Sequence, residues 1–323
     1  MTDNQDAGLL VVNYHYVQKR DNYPYPGIYP VDPLVFRQQV EWLTKRFFMP
    51  TPEQVEAFAL GQEGFPGPGV FLTFDDGLAD HGRVAREVLG PMGVKAAFAV
   101  SSRPMVEKKA LLVHKIHWLR ATTDPVRFRE EFMGLVPEKW LASAWDDGAR
   151  QAALETYVYD TPEDASLKYL INFLIPNDVA DRVATEMLRG RDIEEEAFCA
   201  RFYLGEREIR ELAHAGHVVG NHGHNHIPFS RLSEDELDRE IGRSKGAVER
   251  VTGVEQRWVS YPNGRTWALP KDPKTFCRRY GFTVGLALDG GWNRMGEAPY
   301  RLMRLNENDV GKVLPEWEAK YPR

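Results

Sequence analysis

The sequence predicts an α/β protein in which parallel strands are joined by crossover helices, with a helical segment inserted part-way along. Three observations predict it. Short apolar runs (Leu9–Asn13, Val70–Phe74, Ala96–Val100) alternate with helical stretches, the order expected of strand–helix–strand units. The second run is continuous and is broken sharply by Asp75-Asp76-Gly77. Residues 105–205, by contrast, are rich in charge and helix formers and poor in strand signals.

Taken in order, Leu9–Asn13 reads as a buried strand ending in Tyr14-His15-Tyr16, and the four prolines and one glycine within Asp21–Pro33 read as a loop. Leu34, Val35, Val40, Leu43 and Phe47 carry the spacing of an amphipathic helix over Pro33–Phe47. Gly61–Gly69 is a Pro/Gly loop, Ala85–Leu89 is helical, and Ala96–Val100 is the next buried strand. Helices are expected within the insertion over Leu111–Ala121, Val126–Leu135, Trp140–Tyr157 and Ala165–Leu174. The α/β pattern resumes with a helix at Glu206–Ala215, closed by Gly216, and a strand at His217–Gly220. Ser233 and Glu236 form a capping-box signature that opens a helix to Val251. Short strands follow at Trp258–Tyr261, Thr283–Leu288 and Arg301–Leu305.

Composition excludes several classes. The 323 residues carry 43% hydrophobic and 27% charged side chains, which rules out a disordered or fibrous chain. The net charge of -6, with no Lys/Arg block, leaves no nucleic-acid footprint. Two cysteines make neither a disulfide framework nor a metal motif and suit a reducing compartment. No run approaches the ~18 apolar residues of a membrane span. Met1–Gly8 lacks the basic region of an export signal, so the expected location is cytoplasmic.

Three of the nine histidines fall in the run Gly220-Asn221-His222-Gly223-His224-Asn225-His226 at a strand's end. Ligands of α/β sheets bind there, and imidazole is the commonest ligand for zinc-like ions. Asp75 and Asp76 end the Val70–Phe74 strand, where two adjacent carboxylates are costly unless each has a partner. One carboxylate with two imidazoles makes a facial N2O set that leaves positions open for water and substrate, as catalytic metal sites do. The spare carboxylate can then act as a base.

The segment Thr73-Phe74-Asp75-Asp76-Gly77, together with His222-x-x-x-His226, resembles the first two motifs of the NodB-type polysaccharide deacetylases, carbohydrate esterase family 4. Ser260-Tyr261-Pro262-Asn263-Gly264 partly matches the third motif. The resemblance covers residues 9–104 and 206–310, leaving 105–205 as the helical insertion and 311–323 as a C-terminal tail. It implies an irregular (β/α)7 barrel and a metal-dependent hydrolase of acetyl groups on sugars. It further implies Asp75 as the general base, Asp76, His222 and His226 as ligands of one divalent ion, and the Asn263 backbone N–H as oxyanion donor. The expected ion is Zn2+, with Co2+ or Ni2+ as alternatives.

This chain departs from the family pattern. Gly223 replaces the usual Ser/Thr of the second motif, and Ser260 stands where an Arg often orients the base, a role Arg257 or Arg265 would have to fill. The stretch Arg301–Asn306 holds no fifth-motif His to act as general acid. His15 is the first replacement candidate, because first and last strands are neighbours in a closed barrel. The second is His224, and His114 and His117 come last. Asp289 and Trp292 stand where the fourth motif would be, Trp292 as a wall of the acyl pocket, with Tyr261 as a further substrate contact.

The expected function is hydrolysis of an N-acyl, typically N-acetyl, group on a carbohydrate, either a cytosolic nucleotide-linked sugar or a glycan precursor in surface-polysaccharide synthesis. Hydrolysis of another C–N bond in a small cyclic amide and lapsed, purely sugar-binding behaviour are the alternatives. Oligomeric state is not legible from the sequence.

Overall fold

The computed structural model describes residues 8–20, 23–141, 147–157, 161–307 and 309–310. The expected tail at 311–323 and residues 142–146 of the expected Trp140–Tyr157 helix lie outside them. The chain divides into two compact units, one made of residues 1–20, 30–108 and 199–323 and the other of residues 21–29 and 109–198.

The first unit is built on strands β1 (Leu9–Tyr14), β2 (Gly69–Phe74), β3 (Ala96–Val100), β4 (Val218–Asn221), β5 (Trp258–Ser260), β6 (Val284–Leu286), β7 (Trp292–Asn293) and β8 (Arg304–Asn306). The sheet order is β6-β5-β4-β3-β2-β1-β7, with β8 also on β1. Only β7 is antiparallel to its neighbour. A parallel bridge between Leu286 and Leu302, two residues before β8, joins the far edge back to the first strand. Ala287 N donates to Leu302 O and Leu302 N to Gly285 O, each at 2.8 Å. The seven parallel strands therefore curl into an irregular barrel, as the resemblance implied.

β1, β2 and β3 are buried along their whole length and are mostly apolar, because helices pack against them. Tyr14, Phe36, Val40, Leu43, Leu72, Phe74 and Phe98 pack together in the largest cluster. Asp32 caps the helix Pro33–Arg46 through Leu34 N, and Ser233 and Glu236 form the expected capping box of Glu234–Thr252. The helix Pro52–Ala59, capped by Thr51 and Gln54, has no counterpart among the expected elements. Its apolar face is only Val55, Phe58 and Ala59, too short for periodicity to show.

The second unit is helical. Leu112–Thr122, Pro125–Leu135, Asp147–Thr156, Pro162–Tyr169 and Asn177–Arg189 are its longer elements. Leu119, Phe128, Phe132, Leu170, Ala184 and Leu188 form its core. Lys115 is fully buried and pairs with Asp181 at 2.9 Å and Glu195 at 2.7 Å, so its charge is compensated inside this unit. Of the two outlying acid candidates, both on Leu112–Thr122, His114 is completely buried.

Candidate active site

In a barrel of parallel strands, all C-terminal strand ends lie on one rim. Just past those ends stand His15 (β1), Asp75 and Asp76 (β2), Ser101 and Ser102 (β3), His222 (β4), Tyr261 (β5) and Glu307 (β8). Residues far apart in the chain are thereby brought together.

Asp76 Oδ1 lies 3.2 Å from His222 Nε2 and 3.2 Å from His226 Nε2. The three ligand atoms fall within 4.8 Å of one another. Ligands held about 2.0–2.2 Å from a common ion at tetrahedral angles sit roughly 3.3–3.5 Å apart, so the spacing fits. His222 Nδ1 bonds Ser260 O at 2.7 Å, which leaves Nε2 to face Asp76. The two rings meet edge to face at 4.8 Å, on an irregular loop rather than on one helical turn. Asp76 and His226 both have left-handed backbones, φ 77° and 59°. A carboxylate and two imidazoles are the donor set of a zinc-like catalytic ion.

Asp75 turns elsewhere. Its Oδ1 accepts from Arg304 Nη1 at 3.0 Å, and its Oδ2 accepts from Arg304 Nη2 at 2.8 Å and Asn13 Nδ2 at 3.1 Å. Burial opposes ionisation of Asp75, but the Arg304 guanidinium outweighs it and holds the carboxyl well below the usual range. Arg304 itself is 1% exposed. Its remaining N–H groups reach Ala287 O at 2.9 Å, Asn13 Oδ1 at 2.7 Å and Ser260 Oγ at 2.9 Å. The arginine that orients Asp75 is therefore Arg304, not Arg257 or Arg265. Arg257 precedes β5 on the opposite rim and pairs with Glu56, while Arg265 is exposed. The short Ser260 side chain accepts a bond from the arginine that reaches across from β8.

His15 is 27% exposed, and its Nδ1 lies 3.2 Å from Glu307 Oε1. The contact follows from the pairing of β1 with β8: Asn13 partners Asn306, and His15 and Glu307 lie two residues and one residue past that pair. Burial works against the charged imidazole, but Glu307, then Asp76 and Asp75, overcome it and raise the His15 pKa to about 9. Below it, fully buried His81 sets Nε2 2.8 Å from His15 O and packs on Phe74 and Phe98. Burial depresses its pKa to about 4, so it stays neutral.

Four residues expected at the site have other roles in the structure. Tyr261 is not a substrate contact: its side chain is fully buried, its hydroxyl donates to Tyr300 O at 2.8 Å and its N–H to Leu286 O at 3.1 Å. Trp292 does not wall the acyl pocket. It pairs with Leu10 near the start of β1, about four residues or ~13 Å down the strand from the rim that carries Asp75 and Asp76. His224 is neither solvent-facing nor a proton donor to this site, since its nitrogens lie 2.8 Å from Ser102 Oγ and 3.0 Å from Glu107 Oε1. Asp289 engages Arg301 at 2.8 Å and Thr266 at 3.1 Å, a local brace. Asn263 is exposed on the loop after β5, with φ 65°.

Sequence reasoning missed Arg304, Glu307 and His81. A signal existed for the first: an arginine within an otherwise strand-like stretch has to be buried and paired.

Residues 134–285 match the family model described as polysaccharide deacetylase, a span that includes the histidine loop but not Asp75 and Asp76. The peptidoglycan-N-acetylglucosamine deacetylase of Bacillus cereus is 29% identical over 69 residues, 20% of this chain and 25% of that protein. The chain spans between a quarter and a third of the length of the curated relatives it matches. Among solved structures, IcaB from Ammonifex degensii aligns with a TM-score of 0.56 at 18% identity, covering 96% of each chain. The Streptococcus pyogenes deacetylase PplD in complex with acetate aligns at 0.59 and 15% identity, covering 98% of each. The shared fold, the family-model match over residues 134–285 and the two motifs meeting at one rim agree: the chain is similar to polysaccharide deacetylases and has the fold of the solved ones.

Proposed function

We propose that the chain hydrolyses the N-acetyl group of an N-acetylated sugar, with Asp76, His222 and His226 holding one divalent ion, Zn2+ in the first instance. The observation that carries this reading is the Asp76–His222–His226 triad beside a second carboxylate, Asp75, kept ionised by Arg304. The deacetylase names of the relatives support it.

When bound, the ion supplies Lewis acidity to the acyl carbonyl and to the attacking water. Asp75 accepts the water's proton; its Oδ1 takes one bond from Arg304 and keeps a lone pair for that purpose. The Asn263 N–H stabilises the oxyanion. His15, held as imidazolium by Glu307, gives its proton to the leaving nitrogen as the C–N bond breaks. The products are acetate and a free amine.

Chelation is expected to abolish turnover, and added Zn2+ or Co2+ to restore it, measured by released acetate. Full activity in metal-free protein would end the ligand assignment.

His15→Ala should lower kcat about 10²-fold at unchanged ion content. Because His15 must be charged to act, activity holds at neutral pH and falls as pH rises through about 9. A bound cation offsets the Asp76 contribution and leaves Glu307 dominant. Glu307→Gln should therefore move the alkaline limb down toward the ordinary histidine value of about 6.5. An unmoved limb would remove His15 from the acid role.

The finer reading is a nucleotide-linked sugar or glycan precursor, acted on in the cytoplasm. Rates on an N-acetylated nucleotide sugar and on an N-acetylated oligosaccharide, with fractionation of expressing cells, test it.

A further inference from the structure

We infer that Glu240 is a positioning residue for the metal site: it holds the loop 222–226 in the form that presents both histidines to Asp76. The inference rests on the reading that Asp76, His222 and His226 bind a divalent ion.

Glu240 lies on the helix Glu234–Thr252, at 5% exposure. Among the described residues its carboxylate pairs with no lysine or arginine. A buried carboxylate without a cation is costly unless hydrogen bonds replace the lost water. Here both oxygens go to one residue of the histidine loop. Oε1 accepts the Asn225 backbone N–H, and Oε2 accepts Asn225 Nδ2 at 2.8 Å.

Gly223 shows that the loop is shaped around this carboxylate. Its φ is +72°, and a Cβ there would stand 2.9 Å from Glu240 Oε1 and 3.3 Å from Phe229 Cε1. A residue carrying a hydroxyl, which the second motif normally has at this point, would be strained by the positive φ and would push the Glu240 carboxylate off its present place on Asn225. The glycine removes the local loop-stabilising group, and a carboxylate from the helix Glu234–Thr252 bonds the loop in its place.

The clamp acts where the loop most needs it. His226 follows Asn225 directly and carries a left-handed φ of 59°, which non-glycine residues hold only when their surroundings demand it. The first half of the loop is pinned from β3, where Ser101 Oγ bonds His222 O at 2.8 Å and Ser102 N bonds Gly223 O at 3.2 Å. Those bonds act on residues 222–224, and the Glu240 bonds act on Asn225, next to His226. Without them Nε2 of His226 loses its fixed place 3.2 Å from Asp76 Oδ1.

The test is Zn2+ affinity, read by competition with a chromogenic chelator on wild-type, Glu240→Ala and Glu240→Gln proteins. The absorption spectrum of Co2+-loaded protein and thermal melting of the metal-free forms accompany it. Glu240→Ala should weaken Zn2+ binding about 10–100-fold, the usual effect of losing an outer partner of a ligand, and should alter the Co2+ spectrum. Glu240→Gln should recover most of the affinity, because its carbonyl oxygen still accepts the Asn225 N–H. If Glu240→Ala does not fold, Asn225→Ala, which deletes only the side-chain half of the clamp, should still weaken Zn2+ several-fold. Wild-type affinity in a folded Glu240→Ala, or in Asn225→Ala, overturns the inference. Failure of the wild-type protein to bind Zn2+ at all would instead overturn the metal-site reading, and it is seen before any variant is made.

Discussion

Asp75→Asn is expected to lower kcat by about 10²–10⁴-fold, the range for loss of a general base, while the protein still binds one equivalent of metal ion. The amide has nearly the shape of the carboxylate but cannot take the water's proton. Asp76, His222 and His226 are untouched, so ion content separates the base from the ligands. The substitution also strands the Arg304 charge at 1% exposure. Removing one member of a buried pair costs about 3–5 kcal/mol, so a lower melting temperature should accompany the loss of turnover. Assays run well below that temperature decide the matter: turnover within a few-fold of wild type would exclude Asp75 as the base.

Arg304→Leu should do the largest damage to stability, again about 3–5 kcal/mol, read by denaturant or thermal unfolding. Asp75 would keep Asn13 at 3.1 Å but lose both guanidinium bonds. Burial would then push its carboxyl up rather than the arginine holding it down. In the wild type, the depressed Asp75 pKa contributes stability that is present above the ordinary carboxylate value and is lost as pH falls through the folded one. The variant lacks that contribution at neutral pH, and its activity should acquire an acid limb at a pH where the wild type is flat. Replacing Asp75 and Arg304 together by leucines should recover much of the stability and none of the activity. A single Arg304→Leu variant with wild-type stability and pH profile would show that the pair matters neither to fold nor to base.

The strands β1, β2 and β3 were legible because each is an apolar run closed by turn residues, and burial on both faces writes that pattern directly into composition, whereas the two-residue strand Trp292–Asn293 was not expected. Asp75, Asp76, His222 and His226 were legible for a related reason: polar, ligand-capable residues abutting buried strands have few other uses. Tyr261 and Trp292 were misplaced because adjacency in sequence to a motif does not say which way a side chain turns. Tyr261 is one residue past β5 and points into the core with Phe229 and Phe276. Trp292 sits on a two-residue antiparallel strand whose partner, Leu10, fixes it on the other rim.

By itself the sequence determined the α/β class and marked Asp76, His222 and His226 as candidates to grip an ion, since these depend on local patterns of burial and donor chemistry. The tertiary structure alone decided the support around them. Arg304 reaches Asp75, Glu307 reaches His15 and Glu240 reaches Asn225 across sequence separations of 229, 292 and 15 residues. No local pattern encodes such contacts. Strand register and barrel closure bring the first two together, and the packing of the Glu234–Thr252 helix against the histidine loop makes the third.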